Sequence, residues 1–143
     1  MKFLDNFARV DKIWDPLRRK YVSLTPEEKV RQWFIAQLHD ALGVPFSLMG
    51  SEVGFDFGQK HYRADIVVYS RELRPIAVVE CKRPEVAIDA EVVRQSMRYN
   101  AVLDVRYIFL TNGGSSYCYE RRGDSFVPTS QIPHYKEMLE CLQ

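Results

Sequence analysis

The chain has 143 residues, 46% hydrophobic and 27% charged, the composition of one domain able to bury about two-thirds of its unfolded surface. Twenty basic against nineteen acidic side chains leave a formal charge of +1, so bulk charge cannot draw the chain to nucleic acid or to an anionic membrane, and any such binding needs a local patch. No apolar run approaches the roughly 18 to 20 residues that span a bilayer, which excludes a membrane-crossing helix and predicts no membrane partner.

Residues 1 to 24 mix Phe3, Leu4, Phe7, Ile13, Trp14 and Tyr21 with the basic run Arg18-Arg19-Lys20 and are expected to lie over the core as an N-terminal arm. At Thr25 a helix begins: threonine is a good N-cap, Pro26 suits the first helical position and Glu28 sits where a capping-box acid belongs. Its apolar stripe, Val30, Trp33, Phe34, Leu38, Ala41 and Leu42, follows helical spacing, and Gly43 with Pro45 ends it. Three segments rich in β-branched and aromatic residues come next, Val53 to Phe57, Tyr62 to Tyr69 and Ile76 to Lys82, and predict three antiparallel strands. Beyond Pro84, the spacing of Val92, Val93, Ser96, Met97, Asn100 and Leu103 predicts a helix from about Ile88 to Leu103. Val105 to Leu110 reads as a short buried strand ended by Asn112-Gly113-Gly114. Tyr117 to Arg121 and Phe126 to Val127 around Arg122-Gly123-Asp124 predict a hairpin, and the tail from Pro133 predicts a helix, both peripheral to the core. One α/β domain is expected: an arm over 1–24, a core over 25–111 in the order helix, three-strand antiparallel meander, helix, strand, and a hairpin and helix over 112–143.

Two charged clusters interrupt segments otherwise apolar enough for central strands, Asp65 in the second strand and Glu80 with Lys82 in the third. Buried charges need a reason. Side chains alternate along a strand, so Glu80 and Lys82 share a face, and a symmetric turn over Ser70 to Pro75 would pair Tyr69 with Ile76 and set Asp65 opposite Glu80. Opposed like charges cost a few tenths to about 1 kcal/mol, which a divalent cation would reverse. Two carboxylates with room for water suit magnesium, with manganese as a substitute, and the backbone carbonyl of Cys81 is a candidate third ligand. Lys82 is placed to polarise an attacking water or to stabilise charge on a phosphate, which describes phosphodiester hydrolysis. The competing explanation is structural: Glu80 and Lys82 merely pair with Asp65 and Arg63 across strand ends.

Asp65, followed after fourteen residues by Glu80-Cys81-Lys82 on the next strand, resembles the PD-(D/E)xK nuclease superfamily, and the predicted core order resembles its restriction-endonuclease-like fold. More narrowly, Thr25-Pro26-Glu27-Glu28-Lys29-Val30-Arg31-Gln32, Arg63-Ala64-Asp65-Ile66-Val67-Val68-Tyr69, Glu80-Cys81-Lys82-Arg83-Pro84 and Leu110-Thr111-Asn112-Gly113 resemble the N-terminal nuclease domain of type I restriction enzyme R subunits, over roughly residues 10 to 120. The resemblance implies that Asp65 and Glu80 bind metal, that Lys82 is the catalytic lysine, and that Gln95 and Tyr99 form a Gln-x-x-x-Tyr motif positioning the scissile DNA. The acidic position of the first helix aligns with Glu28, an accessory candidate, although the helical wheel sets Glu27 nearer the apolar face. Ala64 stands where the superfamily has proline. Type I R subunits continue into a helicase motor, whereas these residues contain no Gly-rich Walker loop and are too few for a motor, so a helicase or other restriction-modification subunits would come from separate chains.

Lys60, Arg63, Arg83, Arg94 and Arg98 surround the expected site and supply the local basic patch for DNA, with no module for base readout, so no intrinsic sequence specificity is expected. A catalytically silent module of the same fold, kept for DNA or protein binding, is the alternative function. Cys81, Cys118 and Cys141 fit neither a disulfide framework nor a zinc site, and only two apolar residues separate Lys2 from Asp5, so a reducing cytoplasm and no signal peptide are expected. His39, His61 and His134 make no metal-spaced pair, and His39 is expected to be a partly exposed surface residue.

Overall fold

In the computed structural model, which describes residues 11–140, the hydroxyl of Thr25 accepts the backbone N–H of Glu28 at 3.2 Å and starts α1 (Pro26–Asp40). Phe3, Leu4, Phe7 and Cys141 of the sequence analysis lie outside the described residues. The remaining arm is not a loose strap: Lys12–Asp15 (β1) and Lys20–Ser23 (β2) pair antiparallel as a separate hairpin. Its anchor is Asp15, fully buried and paired with Arg18, so one member of the basic run points inward.

The main sheet holds six strands in chain order, β3 (Met49–Phe57), β4 (Lys60–Tyr69), β5 (Pro75–Cys81), β6 (Tyr107–Thr111), β7 (Ser116–Arg122) and β8 (Ser125–Pro128). The antiparallel meander is β3-β4-β5. β6 runs parallel to β5, which requires a crossover, and α2 (Ala90–Asn100) supplies it. The C-terminal hairpin is not peripheral as expected: β7 pairs with β6 along its length and buries Cys118 and Tyr119. A closing helix, α3 (Tyr135–Glu140), follows.

Helix α1 buries Val30, Phe34, Ile35 and Leu38 against Ile66, Val68, Val79 and Phe109, and α3 adds Tyr135 and Met138 to that layer. On the other face Val93 and Met97 of α2 pack on Val67, Val78 and Ile108. Gly43 turns the chain out of α1 at φ +76°, a left-handed conformation that favours glycine, and a β-carbon there would also displace the exposed His134 ring, whose Nε2 would lie 2.6 Å away.

Strand β4 inverts at its centre. Ile66 and Val68 pack in the α1 layer, whereas Ala64 and Tyr62, which strict alternation would place beside them, pack in the α2 layer. The β3-β4 ladder steps over the inversion, running to Ser51↔Ile66 and resuming at Val53↔Ala64, and Glu52 between them has φ +54°. Asp65 occupies the inversion itself. The β4-β5 turn is also less symmetric than expected: Tyr69 pairs with Pro75 rather than Ile76, with an irregularity at Val68/Tyr69, although Val68↔Ala77, Val67↔Val78 and Ile66↔Val79 keep the expected register.

Candidate active site

Ile66↔Val79 is the last recorded pair of the β4-β5 ladder. One step further, where Asp65 would face Glu80, the Asp65 carboxylate instead accepts the backbone N–H of Cys81 on Oδ2 at 2.7 Å, while Arg31 Nη2 stands 3.5 Å from Oδ1. Burial pushes this carboxyl up to about 6; the Cys81 N–H and Arg31 oppose that rise, and the charges of Glu27 and Glu80 add to it. Glu80 lies near the end of β5. Its Oε1 accepts Ser96 Oγ at 3.0 Å and Asn100 Nδ2 at 3.2 Å, and its Oε2 pairs with Lys82 Nζ at 2.9 Å. The backbone of Lys82 is held by its N–H donating to Thr111 O at 2.7 Å.

These three side chains open on one cleft of about 540 Å³, together with Glu27, Gln95 and Tyr99. Asp65, Glu80, Lys82, Gln95 and Tyr99 are therefore brought together as expected. Tyr99 does more than line the cleft: its hydroxyl accepts the Arg63 N–H at 2.9 Å and its ring lies 5.0 Å from that of Tyr62, fastening α2 to β4. Gln95 donates to Glu91 at 3.2 Å. Cys81 faces the α1 core, where burial pushes its thiol well above the usual range, as small core packing on the opposite strand face requires.

Glu28 is a correction. Its carboxylate is buried away from the cleft, accepting Arg18 at 2.7 Å, Arg31 at 3.3 Å and Gln32 at 3.0 Å. Glu27, one residue earlier and so about 100° round the helix, is the acid of α1 that lines the cleft. The helical wheel carried that signal. Nothing in the sequence marked Arg31 or Glu52, yet they complete an ionic network: Glu52 lies 3.2 Å from Arg31, 3.5 Å from Arg18 and 2.8 Å from Arg63. Burial disfavours the Glu52 charge, but these guanidinium groups outweigh it and hold the carboxyl below its usual range.

The expected basic patch is narrower than proposed from sequence. Arg63 and Arg83 line the cleft, whereas Lys60, Arg94 and Arg98 do not. Lys60 sits over the Tyr62 ring, 5.4 Å from its centroid, and Arg94 is paired with Glu91 on the exposed side of α2. His39 is half-buried, the partly exposed position expected of it, with Nδ1 3.0 Å from Val44 O and its ring stacked on Phe46. The sequence marked Ser96 and Asn100 only as members of an apolar stripe and Asn112 only as a strand end within a family-like motif; Asn112 Nδ2 donates to Val86 O at 2.8 Å and ties the loop after β5 to the β6-β7 turn.

Among the described residues no helix is long and apolar enough to cross a membrane. A comparison with curated proteins gives no match. Among solved structures the chain superposes on a fragment assigned as the HsdR subunit of a type I restriction enzyme from Vibrio vulnificus YJ016, with TM-score 0.60 and 18% identity over 82% of this chain and 25% of that one. It thus spans a quarter of that relative, and at this identity the likeness establishes the fold, a restriction-endonuclease-like α/β sheet. A weaker likeness is to a chain assigned as a DUF820 nuclease from Anabaena variabilis ATCC 29413, with TM-score 0.49 and 12% identity over 98% of both chains. Residues 26–133 match the family described as the type I restriction enzyme R protein N terminus; the match covers the sheet, the cleft and all three residues at its centre, and the chain belongs to that family.

Proposed function

We propose that this domain is a metal-dependent DNA endonuclease that hydrolyses phosphodiester bonds without intrinsic sequence specificity. The observation that carries the proposal is the convergence of Asp65, Glu80 and Lys82 on one open cleft, three charged groups that a sheet would otherwise have no reason to gather. Among the described residues no group of three or more His, Cys, Asp and Glu side chains is disposed to hold a metal. Two carboxylates suit a hard ion that retains most of its water, so magnesium, or manganese in its place, fits this donor set better than zinc or calcium. Asp65 and Glu80 would hold it, with the Cys81 carbonyl as a candidate third ligand; bound there, the ion would supply positive charge to the phosphate and acidify water.

The chain's own groups do the rest. Lys82, its ammonium held at Glu80, is placed to stabilise the negative charge that grows on the phosphate or to orient the entering water. Gln95, Tyr99, Arg63 and Arg83 rim the cleft and would bind the phosphodiester backbone by contacts that carry no sequence information. DNA is thus the proposed partner, with helicase or other restriction-modification subunits supplied by separate chains and the cytoplasm as the proposed compartment.

The test is incubation of the purified protein with supercoiled, linear and single-stranded DNA, with and without magnesium or manganese, beside Lys82→Ala. Metal-dependent cleavage abolished by Lys82→Ala is the expected result. Absence of cutting on every substrate, with candidate partner subunits added, would overturn the enzyme and favour a silent DNA- or protein-binding module.

A further inference from the structure

Helix α2 carries two pairs of residues one turn apart. Gln95 and Tyr99 line the cleft, as does Ser96. Ser96 and Asn100, each one position further along than Gln95 and Tyr99, are buried to 2% and 3% exposure. Both donate to a single atom, Oε1 of Glu80, at 3.0 and 3.2 Å. Asn100 is itself fixed, because its amide also donates to the Ser96 carbonyl at 2.9 Å; an amide nitrogen has two hydrogens, and both are committed.

A carboxylate oxygen accepts about two hydrogen bonds, so Oε1 is saturated from below. Oε2 is the oxygen directed to Lys82. Glu80 therefore presents one oxygen with spare capacity instead of two. That difference bears on cation choice: calcium takes six to eight oxygens and accepts both oxygens of a carboxylate, whereas magnesium demands near-octahedral geometry and takes carboxylates through one oxygen. We propose that Ser96 and Asn100 are positioning residues that restrict Glu80 to one-oxygen coordination and thereby set the preference of this site for magnesium or manganese over calcium. The proposal deepens, and rests on, the assignment of Glu80 as a cation-holding residue.

Titration calorimetry with magnesium, manganese and calcium chlorides tests it, using the wild-type domain, Ser96→Ala, Asn100→Ala, Ser96→Thr and Glu80→Ala. Alanine is the better helix former, so Ser96→Ala should fold, which circular dichroism and a melting curve check. The wild type should bind magnesium or manganese more tightly than calcium, with binding lost in Glu80→Ala. Ser96→Ala and Asn100→Ala should each weaken magnesium binding by about tenfold, the usual cost of losing an outer partner, while the ratio of calcium to magnesium affinity rises severalfold. Ser96→Thr, which keeps the hydroxyl, should restore the wild-type ratio. A general loosening of the helix would weaken all three ions alike and leave that ratio unmoved, which would overturn the proposal. Wild-type binding with unchanged selectivity in both alanine variants would overturn it while leaving Glu80 as a ligand. Absence of Glu80-dependent binding in the wild type would instead overturn the cation site and this proposal with it.

Discussion

The backbone N–H of Cys81 donates to Asp65 Oδ2 at 2.7 Å, so the acid of β4 is fastened to the residue that separates Glu80 from Lys82. The contact fixes the geometry of the site before any substrate arrives, and it holds a carboxylate where burial opposes its charge. The proposed cation-binding role of Asp65 therefore conflicts with stability.

That conflict is measurable. Burial raises the Asp65 carboxyl from an ordinary 3.8 to about 6, so between about pH 4 and 6 the folded protein keeps a proton that the unfolded chain releases, and stability falls as pH rises through this window. Above it the full cost of the buried charge is present, of order 3 kcal/mol. Asp65→Asn keeps an acceptor for the Cys81 N–H and sheds the charge, at the loss of a partner for Arg31. In metal-free buffer at pH 7.5 the variant should be more stable than wild type by about 1 to 2 kcal/mol, with the gap narrowing toward pH 4.5. Urea denaturation at the two pH values is the measurement, and a gap independent of pH would contradict the assignment.

Arg31 is the hub of the network behind the cleft, buried to 5% and within 3.3 Å of Glu28, 3.2 Å of Glu52 and 3.5 Å of Asp65. Arg31→Met removes the cation and leaves its carboxylates facing one another, a change that costs about 3 kcal/mol when a buried pair is broken on one side. The Asp65 carboxyl should move further up, since Arg31 is one of the groups holding it down. Chemical denaturation checks the first effect and a carboxyl titration by carbon NMR the second. A stable variant with an unmoved Asp65 would show that the network is ornamental.

Why Asp65 was legible and Arg31 was not follows from what each position contrasts with. Asp65, Glu80 and Lys82 interrupt runs of valine and isoleucine, and a charge among β-branched residues is conspicuous without any structure. Arg31 lies in charged surroundings along the chain, near Lys29 and Glu28, and Glu52 stands among glycine and serine where a single acid is unremarkable; only the fold brings them together. Ser96 and Asn100 hid for a different reason: small polar residues at helical spacing count as neutral members of an apolar stripe, and nothing local shows that a carboxylate waits under them. The inversion at Asp65 also escaped, because strict period-two alternation is a local rule and the break is shared with Glu52 on another strand. The order helix, meander, helix, strand was readable from periodicity. The membership of β7 and β8 in the main sheet was not, since hairpin signals do not reveal which edge the hairpin joins.

Asn112 links the loop after β5 to the turn after β6. Its Nδ2 donates to Val86 O at 2.8 Å, and its Oδ1 accepts Gly114 N–H at 3.0 Å and Ser115 N–H at 2.7 Å. Val86 and Arg83, on that loop, line the cleft. Asn112→Ala should cost about 1 to 2 kcal/mol, the worth of its lost bonds net of solvation. The amides of residues 83–89 should exchange faster with deuterium than in the wild type, and to a greater degree than those of β5. Uniform acceleration across both would point to global destabilisation and away from release of a tether.

The proposed DNA contacts separate two arginines that sequence alone treated alike. Arg83 lines the cleft and its partner, Glu85, is more than half exposed, so the pair can open onto a phosphate at little cost. Arg94 is outside the cleft and is paired with Glu91 one turn earlier on the exposed side of α2. Each lost phosphate contact lowers affinity uniformly across sequences and reduces the slope of log affinity against log salt by about one on duplex DNA. Arg83→Ala should show both effects on several duplexes of unrelated sequence, in the presence of calcium to permit binding without cutting. Arg94→Ala should leave affinity and slope at wild-type values. Equal losses in both would mean that DNA lies across the outer surface of α2 and not in the cleft between α2 and the sheet, and the phosphate would then be held away from Asp65 and Glu80.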